Sequence, residues 1–192
     1  MQPSQDDWSE WERVAILQVG RAVKDARSAA GFSQRALAEK SSLDRGQIAN
    51  LEGVRDDGSP RLAELPRLGV IVRLAYALGI PPVSLIYPGL PAGKVEMLPG
   101  VTTSSIEAVQ WFSGENVQIP QVDFDPTDTL YARRYSHLRQ VISKIQTDKA
   151  LSTLGVENVE LSDERMKAVL TSVNSELAEL EERMRERKER GR

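Results

Sequence analysis

Arg45, Gln47 and Asn50 fall within one short stretch and carry the side chains best suited to hydrogen-bonding base edges, a guanidinium fork and two planar amides. Ile48 and Leu51 sit between and beyond them at the spacing of a helix's inner face, so one helix buries the apolar pair and presents the polar ones outward. Asp44 is placed to cap the start of that helix. Upstream, Ser33 is a good N-cap for a preceding helix, because its hydroxyl accepts a bond from an otherwise unpaired backbone N–H. In that first helix Ala36 and Leu37 face inward, and Ala38 is small enough for a close helix crossing. Leu43 falls in the turn between them. Residues 31–53 thus read as two short helices joined by a tight turn, an arrangement that fits a DNA major groove.

Residues 17–88 resemble the Cro/phage-repressor (XRE-type) helix-turn-helix family. The matching residues are Phe32-Ser33-Gln34, Leu37-Ala38-Glu39-Lys40, Ile48 with Leu51-Glu52-Gly53, and Leu74-Ala75-Tyr76-Ala77-Leu78-Gly79-Ile80. The resemblance implies a five-helix domain whose third helix enters the groove. Arg45, Gly46, Gln47 and Asn50 then fall where the family reads sequence, and Gln34 falls where it touches phosphate or a base. Two positions depart from the pattern. Ser42 stands where glycine is common, which strains the backbone if φ is positive there. Gly46 stands at a reading position and contributes close approach instead of a side chain.

The whole chain sets outer bounds. Its 192 residues suit one large or two small domains, and 40% hydrophobic composition supplies a core despite only 5% aromatic residues. There is no cysteine and a single histidine, His137, so disulfides, thiolate sites and a structural metal are not expected. No cofactor is expected either. The absence of an apolar run of about 18 residues and the polar, acidic opening argue against a membrane span or signal peptide. These features suit the cytoplasm of a bacterial host. The net charge of −3 is unusual for a DNA-binding chain until it is divided. Residues 1–18 carry −3, 19–90 carry +3, 91–126 carry −4, 127–159 carry +2 and 160–192 carry −1. DNA affinity depends on the face shown to phosphates, and here two basic segments alternate with acidic ones.

The elements that must position these groups follow in order. Residues 1–13 are expected to form an arm or a short extra helix, with Trp8 and Trp11 covering an apolar edge of the first domain. A helical period runs over 14–29 and stops at Gly31. Residues 54–60 form a polar loop whose Arg55, with nearby Arg61, either reaches phosphates or is solvated. Pro66 suits the start of a core helix over 67–78, in which Leu68, Ile71, Val72, Leu74, Ala75 and Leu78 cover much of the surface. Gly79 ends it, and 81–86 closes a domain spanning 14–88. A linker follows over 89–125, with a short helix ending at Phe112 and an alternating, strand-like stretch at 117–124.

Asp125-Pro126 starts a further helix over 126–147. Leu130, Tyr131, Leu138, Val141, Ile142 and Ile145 form its inner side. Arg133, Arg134, Arg139 and Lys144 lie on its other side, with Tyr135 and His137 interleaved. That side is either a solvated face or a second DNA contact, since arginine and tyrosine together suit phosphate and groove. Leu151, Leu154 and Val156 suggest a packed turn broken by Gly155. A last helix starts at Ser162, and Met166, Leu170, Val173, Leu177, Leu180 and Met184 step along it as a heptad seam. The seam packs on the chain's own helix or joins two chains. The expected architecture is mainly α: a five-helix domain followed by a smaller, mostly helical domain over 126–192.

Catalysis has little to stand on. There is no glycine-rich phosphate loop and no histidine-centred triad. Ala92-Gly93 matches the bond that self-cleaving LexA-like repressors cut, but the serine and lysine contexts of that chemistry are missing. The expectation is a sequence-specific transcriptional repressor that occupies operator DNA, with Arg45, Gln47 and Asn50 reading bases and Gln34, Arg35, Lys40 and Arg55 holding the backbone. The chain would act as a monomer with two DNA contacts or as a homodimer through its C-terminal helix. The layout resembles immunity repressors of temperate phages, which implies maintenance of lysogeny. The alternative is an antitoxin or partner-binding regulator whose C-terminal helices hold another protein.

Overall fold

The computed structural model describes residues 2–115, 125–153 and 163–191. The chain divides into two compact units, Met1–Phe112 and Ser113–Arg192. The first contains helices α1 (Gln5–Ala29), α2 (Gln34–Ser41), α3 (Arg45–Glu52), α4 (Leu68–Leu78) and α5 (Val83–Ile86). A hairpin of strands β1 (Lys94–Leu98) and β2 (Val101–Ser104) and helix α6 (Ser105–Phe112) complete it. The second contains α7 (Thr127–Thr153) and α8 (Asp163–Arg190). The fold is mainly α, as the periodicity predicts.

The core of the first unit gathers one face from each of the first five helices. Val19, Ala22 and Val23 of α1, Leu37 and Ala38 of α2, Ile48 and Leu51 of α3, Ile71, Leu74 and Ala75 of α4, and Leu85 of α5 form one buried cluster. Gly20 lets α1 and α3 cross closely: a Cβ there would lie 2.2 Å from the Leu51 carbonyl oxygen. Helix α3 is therefore seated directly on α1, with no room for a larger residue at the crossing.

Several expectations are corrected. The arm or short extra helix expected over 1–13 is, from Gln5 on, the opening of α1, continuous with the helix expected over 14–29. Ser4 accepts the Asp7 amide while the Asp7 side chain takes the Ser4 amide, a capping box that satisfies two orphan donors and carries the helix past Trp8 and Trp11. The Trp11 indole N–H donates to the Glu96 carbonyl of β1 at 3.1 Å, and Trp8 meets Trp11 edge to face. Much of the expected linker belongs to the first unit. Val95 and Met97 alternate inward from β1, Pro99 and Gly100 turn the hairpin, and Ala108 buries α6. The strand expected at 117–124 lies outside the described residues. On α4, Leu68 and Val72 are exposed, at 69% and 46%, together with Tyr76 at 88%. Ile71, Leu74 and Ala75 take the inward stripe of this short helix. Residues 68, 72 and 76, spaced by four, fall on another stripe.

In the second unit, Leu138, Leu177 and Leu180 are buried together, with Tyr131, Tyr135, Ile142, Val173 and Met184 packed around them. Met166 and Ile145 are also buried. Two expectations fail here. Leu130 is 43% exposed rather than on the inner side of α7. Tyr135 leaves the basic side and packs into the seam, because its position lies one turn from both Tyr131 and Leu138. Asp125 caps α7 by accepting the Thr127 amide at 3.0 Å. Arg187 of α8 bonds both Asp125 and Asp128, tying the last turns of α8 to the start of α7. Bonds from Thr127, and then from Arg187, hold the Asp125 carboxyl down at about 2. Of the packed turn expected at Leu151, Leu154 and Val156, Leu151 lies exposed on α7, while Leu154, Val156 and the helix start at Ser162 fall outside the described residues.

Candidate nucleic-acid interface

The α2–α3 pair is held by its caps before any tertiary contact is counted. Ser33 accepts the Ala36 amide at 3.1 Å and so starts α2. Asp44 accepts the Gly46 amide at 2.6 Å, and the Gln47 side-chain oxygen accepts the Asp44 amide at 3.2 Å, a capping box at the start of α3. Between the helices Ser42 adopts φ 51 and ψ 41, the left-handed conformation. It is the one non-glycine residue with positive φ among the described residues. The strain read from the missing glycine is therefore present.

At 3.6 residues per turn, Gly46 and Asn50 lie opposite the buried pair Ile48 and Leu51, with Arg45 and Gln47 on the flanks. Arg45, Gly46, Gln47 and Asn50 are all exposed. Among the described residues the Arg45 and Asn50 side chains have no hydrogen-bond partner, whereas Gln47 commits its oxygen to the cap. A base edge would thus meet an unengaged guanidinium, an unengaged amide and a Gln47 with only its N–H donors spare. Gly46 leaves a flat spot at the centre of this face. A Cβ there would stand 2.7 Å from the Asp44 carboxylate oxygen that caps the helix.

The residues expected on phosphates are more occupied. The Gln34 amide nitrogen donates to Glu52 Oε2 at 3.0 Å, and the residue is half-buried. Arg27 grips the same Glu52 through two bonds, at 2.7 and 2.8 Å, and also reaches the Phe32 carbonyl. The Arg27 and Glu52 side chains are only 13% and 3% exposed. Burial pushes the Glu52 carboxyl up, but the bonds from Arg27 and Gln34 outweigh it and the net shift is downward. This network joins the end of α1, the start of α2 and the end of α3. Arg35 pairs with Glu39 along the exposed side of α2, and the Lys40 ammonium sits 5.2 Å from the centre of the Phe32 ring. Arg55 is built into its own loop, donating to Ser59 Oγ and to the Pro60 and Arg61 carbonyls. These bonds hold the loop after α3 together.

Two ties at this site join positions that no spacing in the sequence links. Arg73 of α4 donates to the Ser41 and Ser42 carbonyls at the end of α2. Arg27 and Glu52 are separated by 25 positions, so no helical spacing links them.

In the second unit the basic face of α7 is partly neutralised. Arg133 pairs with Glu115 at 2.7 Å and Arg134 with Glu176 at 2.6 Å. His137, Arg139 and Lys144 are exposed and have no partner among the described residues. Residues 129–147 contain no aspartate or glutamate. All six seam residues lie on α8, and Val173, Leu177, Leu180 and Met184 pack against α7 of the same chain. Among the described residues no group of histidine, cysteine, aspartate or glutamate is placed to hold a metal ion, and no helix is long and apolar enough to cross a membrane.

No protein-family model and no curated protein matches the chain. Among solved structures, the restriction-modification controller protein C.AhdI from Aeromonas hydrophila is similar to part of it, at 33% identity. The match covers 36% of this chain and 94% of that one, with a TM-score of 0.31. The helix order, the left-handed turn after α2 and the doubly capped α3 seated on α1 make the first unit a helix-turn-helix domain of the Cro type.

Proposed function

We propose that the chain is a sequence-specific DNA-binding transcription regulator that represses by occupying an operator and excluding polymerase. One observation carries the reading. The outward face of α3 presents Arg45 and Asn50 with no partner among the described residues, around a glycine that permits close approach, on a helix fixed by its caps and by buried Ile48 and Leu51. Arg45, Gln47 and Asn50 read bases, Gly46 brings the backbone to the groove, and Gln34, Arg35, Lys40 and Arg55 border the phosphates. Selection of duplexes from a random pool by the intact protein supplies the operator. Replacing Arg45 with alanine should then weaken binding to that duplex by about 1–3 kcal/mol and relax one base position. Unchanged affinity and preference at fixed salt would overturn the recognition-helix assignment.

The acid-free stretch of α7 supports a second DNA contact, through Arg133, Arg134, His137, Arg139 and Lys144. Tyr135 is withdrawn from that set by its place in the seam. Because α7 already covers the seam of α8, the packing favours one chain with two contacts over a dimer joined through α8. Light scattering with and without the selected duplex separates the two. Charge reversal at Arg139 and Lys144 should flatten the salt dependence of binding to a long site, each lost phosphate contact removing about 0.9 from the slope. The two-part layout supports a temperate-phage immunity repressor as the biological role. Repression of a reporter carrying the selected operator, and loss of superinfection immunity in the Arg45 variant, test it.

A further inference from the structure

Arg73 stands 32 positions after Ser41, on a helix whose inward side, Ile71, Leu74 and Ala75, is part of the buried core. Its Nε donates to the Ser41 carbonyl at 2.9 Å and its Nη2 to the Ser42 carbonyl. These carbonyls close α2, where no further turn of helix follows to satisfy them and where the helix dipole favours a cation. Ser42 is also the residue held in the left-handed region, where a Cβ crowds the backbone. The turn has internal ties as well, among them the Ser42 amide, which donates to the Glu39 carbonyl at 3.3 Å. The buried Ser41 hydroxyl donates to the Leu37 carbonyl at 2.7 Å, and the Leu43 amide donates to the Ala38 carbonyl at 2.9 Å. None of those reaches outside α2 and its turn, whereas Arg73 ties the turn to the core. The guanidinium fork holds two N–H donors in one plane and so spans two successive carbonyls, a geometry an ammonium does not fix.

We propose that Arg73 is a positioning residue for base reading. It latches the strained α2–α3 turn to α4, and thereby sets the angle at which α3 presents Arg45 and Asn50, without touching DNA. The inference rests on α3 being the reading helix.

The test compares the full-length protein with R73M, R73K, S42G and the double variant R73M/S42G. The probes are a duplex selected by the unaltered protein and a scrambled duplex of equal length and composition, at fixed salt. R73M should lose at least tenfold in the ratio of selected to scrambled affinity, with scrambled affinity and salt slope unchanged. R73K should recover little of it. Glycine at 42 relieves the strain that the latch opposes, so R73M/S42G should regain most of the ratio, and in denaturant unfolding R73M should cost less in the S42G background than alone. The proposal is overturned if the ratio is unchanged, if both duplexes weaken together with a salt slope lower by about one (a phosphate contact), or if the two substitutions are additive in unfolding. If the unaltered protein selects no duplex, the DNA-reading function itself falls, and the unfolding cycle alone then decides the latch. Should R73M fail to fold, R73K and S42G carry the same comparison.

Discussion

The two units of this chain are both helical but are held together by different means. In Met1–Phe112, five helices each contribute a stripe to a shared core, and Val23, Leu37, Leu74, Ala75 and Leu85 are fully buried. In Ser113–Arg192, α7 and α8 meet along a seam in which Leu138, Leu177 and Leu180 are buried and the surrounding side chains are partly exposed. Much of what remains is ionic and lies in solvent: Arg134 with Glu176, Arg187 with Asp125 and Asp128, Arg133 with Glu115. A shared core resists displacement because every side chain has several neighbours, and it is the kind of base on which a reading helix keeps its angle. A two-helix seam draws on one neighbouring element only, and the side chains around it stay partly exposed. The contrast is between a core that five helices share and a seam that two helices form.

The contrast can be broken by experiment, and the chain provides convenient probes. Trp8, Trp11 and Trp111 all lie in the first unit, so tryptophan fluorescence reads that unit, while helical ellipticity reads both. Leu74→Ala should have the largest effect, costing about 3–4 kcal/mol in the fluorescence-detected transition, within the range for a fully buried leucine. Leu177→Ala, at 8% exposure and on a two-helix seam, should cost about 2 kcal/mol and appear in ellipticity only. Equal costs would mean that the seam is as tightly packed as the core. Gly20→Ala comes next. It forces a methyl against the Leu51 carbonyl, and about 2 kcal/mol of overpacking should appear in denaturant unfolding, with a loss of selected-duplex binding as α3 shifts.

The acid response sharpens the difference further. Glu52 is held below its ordinary value of 4.5 in the folded state. A depressed folded value means the stabilisation is present above 4.5 and is lost as the pH falls below it through the folded value. The fluorescence transition should therefore weaken below about pH 4.5 in the native protein, and this acid-linked loss should shrink in Glu52→Gln. An identical acid profile for the two would remove Glu52 from the account. The smallest effect belongs to the second unit's surface. Arg134→Met breaks an exposed pair and should cost no more than about 0.5 kcal/mol at 0.1 M salt and nothing measurable at 1 M. A larger cost would show that the seam depends on its ion pairs.

The legible parts of the sequence were those where the physics is local. Ser33 and Asp44 announce their helices because a cap acts over two or three residues. Leu37, Ile48 and Leu51 declare an inner face through helical spacing, and Ser42 betrays its strain by standing where glycine is common. Ser4 with Asp7 is an equally local signal and carries α1 through residues that otherwise look like an arm. Where several apolar stripes compete, spacing ceased to be enough. The period of α4 does not tell Leu68 and Val72 from Ile71 and Leu74, because it carries apolar residues on more than one side and only the neighbouring helices select the stripe to be buried. Tyr135 was misplaced for the same reason, since an aromatic ring beside arginines fits a basic face and a seam alike. The pairing of Lys94–Leu98 with Val101–Ser104 hid in a stretch whose proline and glycine content reads as a linker.

The sequence by itself determined the helix-turn-helix stretch, its caps and the side chains that α3 turns outward, because each depends on residues within a turn or two of one another. Only the tertiary structure decided which of those side chains stay unengaged. It drew Gln34 towards Glu52 and Arg27, folded Arg55 into its own loop, and laid Arg73 across the end of α2. Apart from those of Arg55, which stay within one loop, these bonds join positions 18 to 32 apart in the chain. Side-chain reach, helix crossing angle and burial, which no spacing rule contains, bring them within hydrogen-bonding distance.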